Sequence, residues 1–218
     1  MATRLYADLS EQCPQFSPTY IHSYILVSSP NAVVYLHLDS YENLLWLVRG
    51  GKEMHLFLPA DRRMVDDSLM EDICSGADDF FAYDPSYEDF GRTYHLTAGE
   101  FMSWPQHSPH WVRNNDQLNV GLGTFHGTVD GERRTLDYVA NGYFRQRWPL
   151  LAGTVRHGSV SALARRTAFR MMRRFKGVPA RPATEFWAKH QLDPDSRIGT
   201  RLLTDGPRLA EYSPQQAA

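Results

Sequence analysis

In VVYLHLDSYENLLWLVRGGK, residues 33–52, His37 and Asp39 stand two apart in an apolar run, followed by Asn43 and Lys52. Residues i and i+2 of a strand share a face, so His37 and Asp39 project together, with Val33 and Tyr35 on that side. An imidazole nitrogen beside a carboxylate oxygen suits a divalent metal such as iron(II). Two histidines and one carboxylate on one face of the metal leave its other positions open. GEFMSWPQHSPHWVRN, residues 99–114, offers the third ligand as His107 or His110, the latter 71 residues after Asp39.

Lys52, beyond the Gly50-Gly51 turn, shares a strand face with Met54, Leu56 and Leu58, which points its amine inward. A buried ammonium needs a counter-anion, either a protein acid such as Glu42 or Glu53 or a ligand carboxylate; the alternative is that the side chain snorkels to the surface. Asn43 either brings a neutral donor and acceptor to the same cavity or caps the turn before its strand.

Strands must position these groups. YIHSYILV, AVVYLHLD, NLLWLV, EMHLFLP, TYHLT, EFMSWP, HWVRN and LNVGLGTF are runs of strand length, and SSPN, RGG, TAGE and RNNDQ punctuate them as turns. Short strands at regular spacing predict a sandwich or barrel. The acidic stretch at 61–79 has room for one short helix. After residue 130 the texture turns helical, in TLDYVANGYFRQRWPLL and in a basic segment near 159–177. That second helix places Val160, Leu163, Ala164, Ala168, Met171, Met172 and Phe175 on one stripe with arginines opposite. Its expected uses are, in order, packing on its own domain, forming a homodimer, and meeting an acidic partner or a membrane surface. The predicted organisation is a β domain over 1–130 and a helical extension over 131–218, its last residues disordered.

The 218 residues are 42% hydrophobic and 22% charged, with a net charge of −2, enough for one sizeable core. Ten acids stand against two bases between residues 61 and 89, and seven bases stand without an acid between 156 and 176. The near-neutral total and the lack of a nucleic-acid-binding signature argue against a nucleic-acid partner. Cys13 and Cys74 form no metal or disulfide spacing and read as thiols of a reducing compartment. No apolar run of about 18 residues is present, and MATRLYADLS lacks a secretory pattern; a cytoplasmic location is the default expectation, with no membrane span.

HxD followed by Asn, an apolar strand, RG and Lys, then a GE-F-x-x-x-P turn and a distal His, resembles the cupin-like JmjC-type iron(II)/2-oxoglutarate oxygenases, which include asparaginyl hydroxylases. The bacterial cupin-like proteins are closest in texture. The resemblance spans about residues 24–128. It implies a double-stranded β-helix, His37, Asp39 and His110 as iron ligands and catalytic residues, Lys52 on the distal carboxylate of 2-oxoglutarate, and Asn43 near its chelating end. His110 is preferred to His107 because it directly precedes the WVRN strand, as the family's distal histidine does. The implied activity is hydroxylation of a peptide or protein side chain, or of a small amino-acid-like substrate, with 2-oxoglutarate and oxygen as cosubstrates. C-terminal helices commonly join such enzymes as dimers. The sequence departs from the pattern at Val34, where many relatives carry a threonine, and in its short region before His37; Tyr20, Tyr24 and Tyr35 are the replacements at hand for the family's cosubstrate tyrosine. Two rival classes are a metal-dependent cupin enzyme without 2-oxoglutarate and a non-catalytic ligand-sensing regulator.

Overall fold

The computed structural model of the chain describes residues 2–76, 81–176, 190–192 and 200–202. Contacts divide the chain into two units, Met1–Gly177 and Val178–Ala218. The described part of the second is a short antiparallel ladder of His190–Leu192 with Thr200–Leu202. The end of the chain, expected to be disordered, lies outside the described residues.

Eight strands carry the first unit: β1 (Pro18–Ser28), β2 (Val33–Leu38), β3 (Glu42–Arg49), β4 (Gly51–Leu56), β5 (Arg92–Thr97), β6 (Phe101–Trp104), β7 (Pro109–Asn114) and β8 (Asn119–Thr128). Each corresponds to one of the runs read from the sequence. They form two antiparallel sheets, ordered β1-β8-β3-β6 and β2-β7-β4-β5. Within the sheets β1 pairs with β8, β2 with β7, β3 with β6 and β4 with β5, so the chain doubles back on itself while alternating between sheets. This winding is the jelly roll of the double-stranded β-helix, the cupin type.

The sheet change between β3 and β4 rests on Gly50, at φ 89°. A side chain there would be strained, and its Cβ would stand 2.6 Å from the amide carbon of Asn119. That tight turn sets Lys52 opposite β7.

Helices close the outer side of the second sheet. Leu36 and Leu38 of β2 pack with Phe57, Met70, Ile73 and Tyr138, joining the sheet to α2 (Asp67–Cys74) and α3 (Val129–Arg147). Asp66 caps α2 by accepting from the Leu69 N–H, and Thr128 caps α3 by accepting from the Gly131 N–H. Glu71 of α2 is buried and ion-paired with Arg145 of α3 at 2.7 Å. Inside the barrel Leu45, Met54, Trp104 and Val112 form a separate apolar cluster.

Two features differ from the sequence reading. A helix the strand pattern did not call for, α1 (Ala2–Gln12), brings Tyr6 into hydrogen bonds with Thr124 at 2.9 Å and His126 at 2.8 Å. α4 (Val160–Lys176) packs by Ala162, Arg166 and Phe169 rather than by the stripe assigned to it: Val160 is 83% and Phe175 76% exposed. The reason is Asp137 of α3, a buried carboxylate that draws Arg166 inward and His157 to 3.1 Å. Among the described residues no helix is long and apolar enough to cross a membrane.

Candidate metal centre

His37 and His110 stand directly opposite each other in the β2–β7 register, with ring centroids 4.2 Å apart. Asp39 follows the end of β2, its carboxylate 3.5 Å from His110 Nε2. One ligand atom from each of the three lies within 4.8 Å of the others. Leu36 and Leu38 point to the helices, so the alternate residues His37 and Asp39 point into the barrel.

The imidazoles are already oriented. Nδ1 of His37 lies 2.8 Å from the Tyr35 carbonyl, and Nδ1 of His110 lies 2.9 Å from the Ser108 carbonyl. A carbonyl only accepts, so each Nδ1 carries the proton and each Nε2 keeps its lone pair for a metal. Burial pushes the His110 pKa down to about 3, with the neighbouring His37 adding to the lowering and the Ser108 carbonyl opposing it, so His110 is neutral at ordinary pH. Burial also raises Asp39, against the lowering effects of His37 and of the Trp104 indole. A carboxylate that is costly to ionise beside two imidazoles is the donor set a divalent cation would satisfy, and the three side chains fit such an ion. Among the described residues no other group of His, Cys, Asp and Glu meets that spacing.

His107 is turned away from the site. It sits at φ 65°, buried, with Nε2 3.6 Å from Cys74 Sγ and its ring against Tyr138. Lys52 is inward and 7% exposed, as its strand face predicts, but its partner is neither Glu42 nor Glu53. The ammonium donates to Asn114 Oδ1 at 2.6 Å, and Asn114 donates onward to Ser28 and Ser29. Glu42 pairs instead with Arg134 at 3.0 Å. Asn43 is buried on the inner face of β3, opposite Phe125 and Trp104, and donates to the Tyr41 carbonyl at 3.1 Å.

The alternation assumed for β2 fails at one point. The register slips between Val34 and His37, so Tyr35 and Leu36 together face Trp111. This bulge puts Val34, opposite Val112, on the side of His37 and sends Tyr35 out to solvent, 73% exposed. Tyr24 is electrostatically tied to the site: its pKa is raised by burial and then by the Asp39 charge. Its ring lies over Gly123, where a Cβ would come within 2.4 Å of it. Gly123 in the alternating run VGLGTF, residues 120–125, was the available signal for that inward ring. Trp104 packs with its ring 5.0 Å from the His110 ring, and its indole has a lowering effect on Asp39.

No protein-family model matches the chain. No curated protein matches it either. Likenesses are found among solved structures. The DMSP lyase DddQ of Ruegeria pomeroyi DSS-3 is 14% identical over 50% of this chain and 39% of its own, at a TM-score of 0.32. KdgF from Halomonas sp. is 13% identical over 51% of this chain and 73% of its own, at 0.33. The oxalate decarboxylase of Lactobacillus farciminis is 16% identical over 64% of this chain and 34% of its own, also at 0.33. The chain thus spans well under half the length of the lyase and of the decarboxylase. The fold assignment rests on its own strand order and register, not on these likenesses.

Proposed function

We propose that the protein is an iron(II)- and 2-oxoglutarate-dependent oxygenase that hydroxylates a peptide side chain or a small amino-acid-like substrate. One observation carries the reading: His37, Asp39 and His110 converge inside the barrel within 4.8 Å, each imidazole held through Nδ1 by a backbone carbonyl. That is the two-histidine, one-carboxylate set of non-haem iron(II) sites. Lys52 supports the cosubstrate. Its ammonium is buried on the same inner face with no carboxylate partner among the described residues, and burial lowers its pKa. A dicarboxylic ligand would neutralise it.

Iron and 2-oxoglutarate, when bound, supply the oxidising power for C–H hydroxylation, with release of succinate and carbon dioxide. The chain's own share is positional. The carbonyls of Tyr35 and Ser108 fix the two imidazoles, and Leu45, Met54, Trp104 and Val112 keep water from the inner side of the site. The uncovered stripe of α4, with Val160, Leu163, Met171 and Phe175 exposed, supports a homodimer through the C-terminal helices.

A second reading, a metal-binding barrel without 2-oxoglutarate chemistry, is favoured by the register itself. Met54 and Val112 stand between the His110 level and the Lys52–Asn114 level, and Val34 offers no hydroxyl.

The test is succinate formation from 2-oxoglutarate in air with added iron(II). The intact protein should form succinate, His110→Ala should form none, and Lys52→Ala should need more 2-oxoglutarate. Tight metal binding with no response to 2-oxoglutarate would replace this reading with the second.

A further inference from the structure

A cavity of about 300 Å³ lies between the barrel rim, α3 and α4. Tyr20 and Tyr41 form its rim wall, Leu136 and Val139 its α3 wall, and Arg170 and Arg173 of α4 its remaining side. Its volume is at the lower end for small-molecule sites, about 300 to 1,000 Å³.

The charges around it are unequally matched. Glu42 accepts from Arg134 at 3.0 Å and from the Thr128 hydroxyl at 2.9 Å. Glu132 accepts from the Thr19 hydroxyl at 2.5 Å. Arg170 and Arg173 are exposed, and neither has an acidic partner within ion-pair distance among the described residues. Arg173 Cζ lies 6.0 Å from the Phe169 ring. With Glu42 neutralised by Arg134, two guanidinium groups face one hydrogen-bonded carboxylate, and the balance is positive. Guanidinium forks match planar anions, while the phenol rings and aliphatic walls suit an apolar body.

The cavity also shares a wall with the metal centre. Ser40 and Tyr41 directly follow Asp39, and Gln106, four residues before His110, donates to the Ser40 carbonyl at 2.7 Å. The Tyr41 ring lies 5.4 Å from Phe125, opposite Asn43 on the inner face.

We propose that this cavity binds the anionic end of the substrate: a carboxylate or phosphate on an aromatic or branched apolar body. That the ligand is a substrate rests on the oxygenase reading; that the cavity takes such an anion does not. The probes are phenylacetate and phenyl phosphate, with benzylamine as the cationic control, titrated by calorimetry and by proton NMR of the tyrosine rings in the presence of EDTA. At least one anion should bind, the tighter of the two identifying the head group, and benzylamine should not. The paired Arg170→Gln/Arg173→Gln variant should lose about tenfold in anion affinity, the removal of a charge-assisted contact, while keeping its metal affinity. Leu136→Trp, which fills the cavity, should lose binding too. His110→Ala should bind the anion normally while losing the metal, so failure of the metal reading leaves this result standing. Equal anion binding by the arginine variant, or benzylamine binding as well as the anions, would overturn the proposal.

Discussion

The backbone N–H of His107 donates to the carbonyl of Asp39 at 3.1 Å, making one hydrogen-bonded unit of the two turns that carry the metal ligands. Gln106 fastens that unit to α3, donating to the Gly131 carbonyl and the Thr135 hydroxyl while accepting from Arg134 at 2.9 Å. His107 takes the left-handed conformation, which lets its ring leave on the helix side while His110, three residues on, turns into the barrel. The helical extension is therefore part of what aims His110 at Asp39.

Metal binding should stabilise the fold through these three ligands together. At about a hundredfold excess over its dissociation constant, a ligand that binds only the folded chain adds about 2.7 kcal/mol. Iron(II) or zinc is expected to raise the melting temperature of the intact protein, and His37→Ala, Asp39→Ala and His110→Ala should each remove that rise. Scanning fluorimetry with and without metal reads it directly; a shift that persists in His110→Ala would reassign the third ligand.

Trp104 should tune the site without ligating it. Its ring is 5.0 Å from the His110 ring, and its indole has a lowering effect on Asp39. Trp104→Phe keeps an aromatic ring and removes the donor, and metal affinity should fall about tenfold, the size expected for a group that orients a ligand. The same variant should melt close to the parent in EDTA. A large loss of metal-free stability with unchanged metal affinity would make Trp104 a packing residue only.

Local patterns were legible in the sequence, and long-range ones were not. His37, Asp39, Asn43 and Lys52 lie on or beside three successive strands, β2, β3 and β4, so alternation within each run and the turns between them set which face each residue takes, and turn residues mark every strand. The bulge after Val34 has no signature of its own, because it is set by how Trp111 meets two residues across the sheet. Asn114 as the partner of Lys52 comes from 62 residues away, where no local rule reaches. α4 shows the limit best. Its apolar stripe is the sequence signal for a buried face, yet Asp137, 29 residues earlier, draws Arg166 and hence the opposite side of the helix inward.

That buried pair should matter for stability and leave the metal alone. The Asp137 and Arg166 side chains are 2% and 12% exposed. Breaking such a pair by removing one partner costs up to about 3 to 5 kcal/mol, and Arg166→Ala would leave Asp137 with His157 at 3.1 Å as its remaining partner. Arg166→Ala should therefore lower the urea midpoint sharply while metal affinity per folded molecule stays put. A midpoint within error of the parent would mean that α4 is held by Ala162 and Phe169 alone.

Acid should destabilise the protein through its buried neutral histidines. Burial, with the positive charges of His157 and Arg134, takes His107 from 6.5 down to about 3. The folded value lies below the unfolded one, so between those limits the unfolded chain binds more protons and stability falls as the pH falls. Each such histidine contributes a slope of up to about 1.4 kcal/mol per pH unit in that window and none above it. His110, lowered to about 3, adds to the same trend. Urea midpoints followed over about pH 5 to 8 should be flat at the upper end and drop at the lower. His107→Asn, which suits the positive φ and does not titrate, should remove one histidine's share of the slope. An unchanged slope in that variant would show that His107 takes up its proton in the folded state as readily as in the unfolded one.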